Sequence, residues 1–161
     1  MPTTGDPDLA GAYAGERIFL IGNGPSLAET PLDALEDEYT MAMNKIDLIY
    51  DTVAWRPDFY ICMRSRTTTR DAHRESIELH LQLERTRCFL DESWEGELQS
   101  DSQTTFLRSG RPLNSKPQSP NGLSVTELLD VSIDWLERFW SYDPLEIVYQ
   151  FHTMYMAAQF A

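Results

Sequence analysis

Two glycines and two short polar side chains follow the first apolar segment of the chain. Residues 17–21 form a mostly apolar run, which predicts a buried parallel strand. The turn Gly22-Asn23-Gly24-Pro25-Ser26 comes directly after it. Glycines let the backbone approach a phosphate or a ribose, and Asn23 and Ser26 can form hydrogen bonds without charge. We interpret this turn as a candidate nucleotide-binding site. A purely structural turn is the alternative, because the third glycine of GxGxxG and the Lys-Ser/Thr of a Walker loop are missing.

A second asparagine, Asn44, follows the predicted strand at 39–43. The carboxyl ends of parallel strands lie at one edge of a sheet, and open α/β sheets bind nucleotides outside that edge. We therefore expect Asn23 and Asn44 to lie at the same edge with their side chains converging on one cleft. The alternative for Asn44 is a turn residue that only ends the strand.

Strands and helices alternate along the rest of the chain, which predicts an α/β fold with a Rossmann-like parallel sheet flanked by helices. A short helix is expected where Thr30 can serve as N-cap and Pro31 can open the first turn. We expect a flexible arm followed by one nucleotide-binding domain. The predicted segments are the arm 1–15, the domain 16–161, strands at 58–63 and 86–90, a helix at 70–83, a polar loop at 95–122 with one short strand near Phe106, and a helix from 149 onward.

The chain is strongly acidic, with 26 Asp and Glu against 13 Lys and Arg and a net charge of −13. Such a field repels nucleic acid. Only Lys45 and Lys116 are lysines, and scarce lysine beside surplus carboxylates favours a halophilic source. No apolar run approaches the roughly 20 residues of a membrane helix, so we expect no transmembrane segment and a cytoplasmic location.

Cysteine and histidine positions argue against a metal site. Cys62 and Cys88 form no CxxC pair, and we expect buried, reduced thiols. His73 and His80 are seven residues apart and could share one helix face, but metal-binding pairs prefer spacings of three or four. Six arginines lie between residues 64 and 87. Of these, Arg64, Arg66 and Arg70 follow the third strand and could receive an anionic acceptor, and a solvated helix face with ion pairs is the alternative.

Four segments resemble one family. The segments IFLIGNGPSL, TMAMNKIDLIYD, WRPDFYICM and DPLEIVYQFHTMYMAAQFA are similar to the amino-terminal part of the bacterial lipooligosaccharide sialyltransferase-like superfamily. That superfamily includes the domain-of-unknown-function 115 proteins related to 6-hydroxymethylpterin diphosphokinase. The resemblance covers about residues 16–63 and 139–161.

The resemblance implies a Rossmann-like domain that holds a nucleotide-activated sugar, such as a CMP-sugar, at the Gly-Asn-Gly turn. It implies that Asn23 and Asn44 contact the nucleotide and sugar. It also implies that a helix beginning near His152 and Thr153 directs its N-terminal N–H groups at phosphate. The expected function is donor binding in a sialyltransferase-like glycosyltransferase.

The family's next strand, its Gly-x-Asp segment and its catalytic histidine find no counterpart before residue 161. We therefore expect this chain to be incomplete as an enzyme, and the catalytic residues are unknown. A strand edge left exposed beside residues 17–21 would favour self-association. Two alternatives stay open: a relative of pterin-type diphosphokinases, which would need ATP and Mg²⁺, and a non-catalytic remnant kept for binding or assembly.

The acidic composition predicts that salt stabilises the fold. Repulsion among the surplus carboxylates destabilises the compact state, and molar salt screens it over a few Å. The melting temperature should rise by more than a few degrees between low salt and molar KCl. Differential scanning fluorimetry checks this, and an unchanged melting temperature would contradict the halophilic interpretation.

Overall fold

The computed structural model describes residues 12–63, 70–109, 146–147 and 157. Within them lie one α-helix, α1 (Arg70–Leu81), and six strands: β1 (Ile18–Ile21), β2 (Tyr39–Met43), β3 (Phe59–Cys62), β4 (Arg87–Asp91), β5 (Thr104–Ser109) and β6 (Glu146–Ile147). All the strand pairs are parallel, in the order β1-β2-β3-β4-β5-β6. The predicted α/β fold with a Rossmann-like parallel sheet is therefore confirmed.

The central strands form because their residues are apolar on both faces of the sheet. In the β2–β3 pair Met41 lies opposite Phe59 and Ala42 opposite Tyr60, and all four side chains are buried. Successive side chains of a strand point to opposite faces. A continuous apolar run therefore requires cover on both faces, as parallel sheets have.

One face of the sheet is covered by the segments that connect the strands. Consecutive strands are neighbours, and right-handed crossovers between them all fall on the same face. Short 3₁₀ helices occupy three of these crossovers, and α1 occupies the connection from β3 to β4. The core on this face contains Ile21, Ala42, Tyr60, Cys88 and Leu90 from strands and Leu32, Ile46, Ile77 and Trp94 from crossovers.

The opposite face carries a second apolar cluster, which contains Met41, Met43, Phe59, Ile61, Met63, Phe89, Leu107 and Ala157. Tyr13 adds an edge-on aromatic contact to Tyr39 at 4.9 Å and to Phe59 at 5.2 Å between ring centroids. Tyr13 belongs to the segment expected to be a flexible arm, so chain packing begins before Glu16. Aromatic edge-to-face contacts stabilise this attachment.

The predicted short helix after Thr30 is present as a 3₁₀ helix, Leu32–Leu35, but the prediction that Thr30 is its N-cap is wrong. Two 3₁₀ helices, Pro25–Glu29 and Leu32–Leu35, occupy the connection. The Thr30 N–H donates to the Leu27 carbonyl, and its hydroxyl donates to the Ser26 carbonyl, so Thr30 ends the first helix instead of capping a second. Pro31 is the reason, because a residue before proline is pushed into the extended conformation that Thr30 has.

The strand order has a consequence for ligand binding. It does not reverse among the described strands, and β1 lies at one end of it. The crevice that a doubly wound sheet forms at a reversal is therefore not built by these strands alone.

The predicted strand near Phe106 is confirmed as β5. Residues 110–122 of the predicted loop and the predicted helix from 149 lie outside the described residues, apart from Ala157, which is helical. In the described part no helix has the length and apolarity to cross a membrane.

Candidate functional site

Asn23 and Asn44 lie at the carboxyl edge of adjacent strands. The Asn23 side-chain Nδ2 donates a hydrogen bond to the carbonyl of Met43, 3.1 Å away, directly before Asn44. The structure therefore brings the Asn23 side chain to the end of β2. This contact also gives Asn23 a structural role, because it ties the turn after β1 to the neighbouring strand.

The turn after β1 is open to a ligand. Asn23, Gly24, Pro25 and Ser26 are exposed, and Gly22 is partly buried. Gly24 has φ −73° and ψ 162°, which any residue can adopt. A Cβ on Gly24 would meet only the Ser26 hydroxyl oxygen, at 3.9 Å. The fold therefore does not require glycine at this position.

Asn44 has the left-handed backbone conformation, with φ +51°. Asparagine tolerates this conformation better than most residues. Its carbonyl accepts hydrogen bonds from the Tyr60 hydroxyl at 2.7 Å and the Ser76 hydroxyl at 2.8 Å. Its N–H donates to the Ile61 carbonyl at 3.2 Å. The backbone at the end of β2 is thereby fixed to β3 and to α1.

A buried histidine lies beneath this junction. His80 stacks on the Tyr60 ring with 3.6 Å between centroids and 7° between planes. Its Nδ1 lies 2.7 Å from the Ser76 carbonyl, which can only accept, so Nδ1 carries the hydrogen. Nε2 therefore accepts from the Tyr50 hydroxyl, also at 2.7 Å. The Arg56 guanidinium lies over the Tyr50 ring, 4.0 Å from its centroid.

Burial keeps these groups uncharged. Desolvation lowers the pKa of His80 to about 4, although the Ser76 carbonyl opposes the shift. Burial raises the pKa of Tyr50 and of Tyr60 well above the usual value. Both phenols are hydrogen-bond donors at neutral pH, and the neutral imidazole is held in one tautomer. His80, Tyr50 and Tyr60 therefore form a stacked and hydrogen-bonded network of neutral groups at neutral pH.

Lys45 is a cation at this edge whose contacts the structure describes. Its Nζ donates to the Ala72 carbonyl at 2.9 Å and lies 3.7 Å from Asp47 Oδ2. The Ser76 hydroxyl shares its single hydrogen between the Asn44 carbonyl and Asp47 Oδ1. The first turn of α1 and the chain after β2 are thus joined beside Asn44.

The structure describes only part of the arginine-rich segment between residues 64 and 87. Arg64, Arg66 and the predicted helix start at His152 and Thr153 lie outside the described residues. Arg70 begins α1, but its side chain is not described. Arg74 forms an ion pair with Glu78 at 3.7 Å and a closer one with Glu97 at 3.0 Å. Its guanidinium also lies 5.4 Å from the ring centroid of Trp94, so this arginine is engaged within the protein.

The buried thiols and the shared helix face of His73 and His80 follow the sequence expectations. Cys62 and Cys88 are free and buried, and burial raises the pKa of each thiol to about 12. His73 and His80 are both buried on α1 together with Ser76 and Ile77, which is the shared face that their spacing predicted. The described residues contain no group of three or more His, Cys, Asp or Glu side chains that could hold a metal ion.

A cavity of about 240 Å³ lies at the opposite, amino edge of the sheet. The end of α1 and the amino ends of β4 and β5 line it, with Glu84, Cys88, Asp101 and Gln103 among the lining residues. Gln103 Nε2 donates to the Glu84 carbonyl, and Asp101 Oδ1 accepts from the Gln103 N–H. Gln103 is thereby hydrogen-bonded to both Glu84 and Asp101.

The sequence analysis gave no role at the carboxyl edge to four residues, which are Lys45, Tyr60, Ser76 and His80. A signal for two of them was present, because Ser76 and His80 share a helix face with Ile77 and therefore had to be buried polar groups with partners. Their partners lie on other elements and could not be found from spacing.

Comparisons of the chain with protein-family models, with curated proteins and with solved structures found no match.

The neutral His80 predicts that stability falls in mild acid. Its pKa is below 6.5 in the folded protein, so between pH 6.5 and 4 the unfolded chain binds a proton that the folded protein does not. The stability that depends on neutral His80 should therefore be fully present above pH 6.5. The free energy of unfolding should fall by about 2 kcal/mol between pH 7 and pH 5.

Urea unfolding of the wild type and of His80→Gln at both pH values measures this. The variant should be less stable at pH 7 but should lose less stability on acidification. An equal loss in both proteins would show that His80 does not cause the effect.

Proposed function

We propose that this chain is a nucleotide-binding domain whose ligand lies on the turn at residues 22–26, at the carboxyl edge of the sheet. The observation that carries the proposal is the junction of Asn23 with the end of β2. This hydrogen bond holds the Gly-Asn-Gly turn beside Asn44, which has the left-handed backbone conformation. Ligands of open α/β sheets bind outside this edge.

The substrate class that we propose is a nucleotide-activated sugar of the CMP-sugar type. The sequence resemblance to sialyltransferase-like proteins supports it, together with the neutral hydrogen-bonding side chains at the edge. The reaction in such a glycosyltransferase is displacement of a nucleoside monophosphate from the anomeric carbon by an acceptor hydroxyl. The proposal assigns donor binding to this chain and assigns the catalytic base to none of its described residues.

Gly24→Ala tests the site more cleanly than a change at Asn23. Replacing Asn23 would also remove its bond to Met43, whereas Gly24 has an ordinary φ and room for a methyl group. Gly24→Ala should leave the melting temperature unchanged. It should weaken CMP binding by about 1 to 3 kcal/mol, roughly fivefold to 150-fold in Kd, because the methyl group occupies the space of the ligand.

Isothermal titration calorimetry with CMP measures the effect. Ser100→Ala is the matched control, because Ser100 is exposed, uncharged and precedes β5. Equal CMP affinity in Gly24→Ala and the wild type would contradict binding at this turn. Binding of ATP with Mg²⁺ in preference to CMP would favour the diphosphokinase alternative instead.

We also propose that a second copy of the chain pairs with the outer side of β1. This strand ends the order of the described sheet, and its Phe19 side chain is 37% exposed. Unpaired backbone groups on an edge strand favour strand addition, and an edge lysine opposes it. Light scattering in molar KCl should give a dimer for the wild type and a monomer for Phe19→Lys. A monomeric wild type would contradict the pairing.

A further inference from the structure

Two polar side chains lie near the start of α1: Lys45, which donates to the Ala72 carbonyl, and His73, the next residue of the helix. An ammonium group has three N–H donors. Lys45 Nζ uses one on the Ala72 carbonyl and lies 3.7 Å from Asp47. The Lys45 side chain is 24% exposed. It therefore has a donor to offer a ligand at the carboxyl edge.

His73 is the second group. It is only 4% exposed, and among the described residues it forms no hydrogen bond. Buried polar groups usually have partners, so this imidazole stands out from His80, which has two. Ser76 reaches the Asn44 carbonyl from the same face of α1. His73 lies nearly one turn closer to the helix start, at the level of Ala72 and Lys45.

The start of α1 can bind an anion, because the amino end of a helix carries the positive end of the helix dipole. Asp47 already lies 3.7 Å from Lys45 Nζ, and its Oδ1 shares the hydrogen of the Ser76 hydroxyl with the Asn44 carbonyl. Asp71 in the first turn is exposed. Burial and the nearby Lys45 lower the pKa of His73, and the resulting neutral imidazole can donate to a phosphate oxygen.

We propose that Lys45 and His73 bind a phosphate group of the nucleotide. The inference rests on the proposed function and deepens it. It locates the phosphate at the start of α1, next to Asn44, whereas the sequence resemblance implies the helix near His152 and Thr153. A phosphate there would give Lys45 and His73 the anionic partner that the described residues supply only in part.

Titration of His73 by NMR in the intact wild-type protein tests the proposal. The probes are CMP, cytidine and inorganic pyrophosphate. CMP and pyrophosphate should each raise the pKa of His73, because an anion stabilises the imidazolium, and cytidine should not. Binding of CMP with no change in the His73 titration would overturn the phosphate site and leave the nucleotide proposal intact.

The remaining outcomes are also decisive. If pyrophosphate shifts His73 and CMP does not bind, the anion site stands and the nucleotide proposal fails. If no probe binds or shifts His73, both fail.

Two lysine variants give an independent measurement. Lys45→Gln should weaken CMP binding about tenfold or more, since a charged hydrogen bond is lost, and should leave any cytidine binding unchanged. Lys116→Gln, which alters the other lysine of the chain, is the control with the same change in net charge. Equal CMP affinities in the two variants would overturn the role of Lys45. If Lys45→Gln fails to fold, the wild-type His73 titration decides.

Discussion

The carbonyl group of Asn44 is the constraint on which the carboxyl edge depends. It accepts hydroxyl hydrogen bonds from Tyr60 in β3 and Ser76 in α1. It can do so because Asn44 turns the chain through the left-handed conformation as β2 ends. One backbone oxygen thus joins two strands and a helix, and the turn after β1 is added through Asn23. A polar group with two buried donors is costly to leave unsatisfied, so the junction has a single stable arrangement.

The same junction determines the electrostatics of the edge. His80 remains neutral between Tyr50 and the Ser76 carbonyl, so it adds no charge beneath the proposed ligand site. Lys45 adds one positive charge at the start of α1, in a chain of net charge −13, and Asp47 lies 3.7 Å from its Nζ. The overall field of the chain repels polyanions such as nucleic acid.

Much of the fold could be predicted from the sequence because parallel strands are continuous apolar runs. Strands β1 to β4 and helix α1 follow that pattern closely. In the connection after β1 the short helix at Leu32–Leu35 was predicted, but its cap was not, because Thr30 ends the preceding 3₁₀ helix and Pro31 is the N-cap of the next. For the site, strand ends predicted where Asn23 and Asn44 lie. The hydrogen bond from Asn23 to the Met43 carbonyl and the buried partners of Ser76 and His80 depend on tertiary neighbours, which no local spacing specifies.

The most direct test of the account is a map of amide chemical shifts in the ¹⁵N-labelled protein as CMP is added. The account predicts that the largest changes occur at residues 22–26 and at Asn44 and Lys45, with small changes at Asp101, Gln103 and Thr104 around the amino-edge cavity. Changes concentrated at that cavity, or none at the carboxyl edge at saturating CMP, would contradict it.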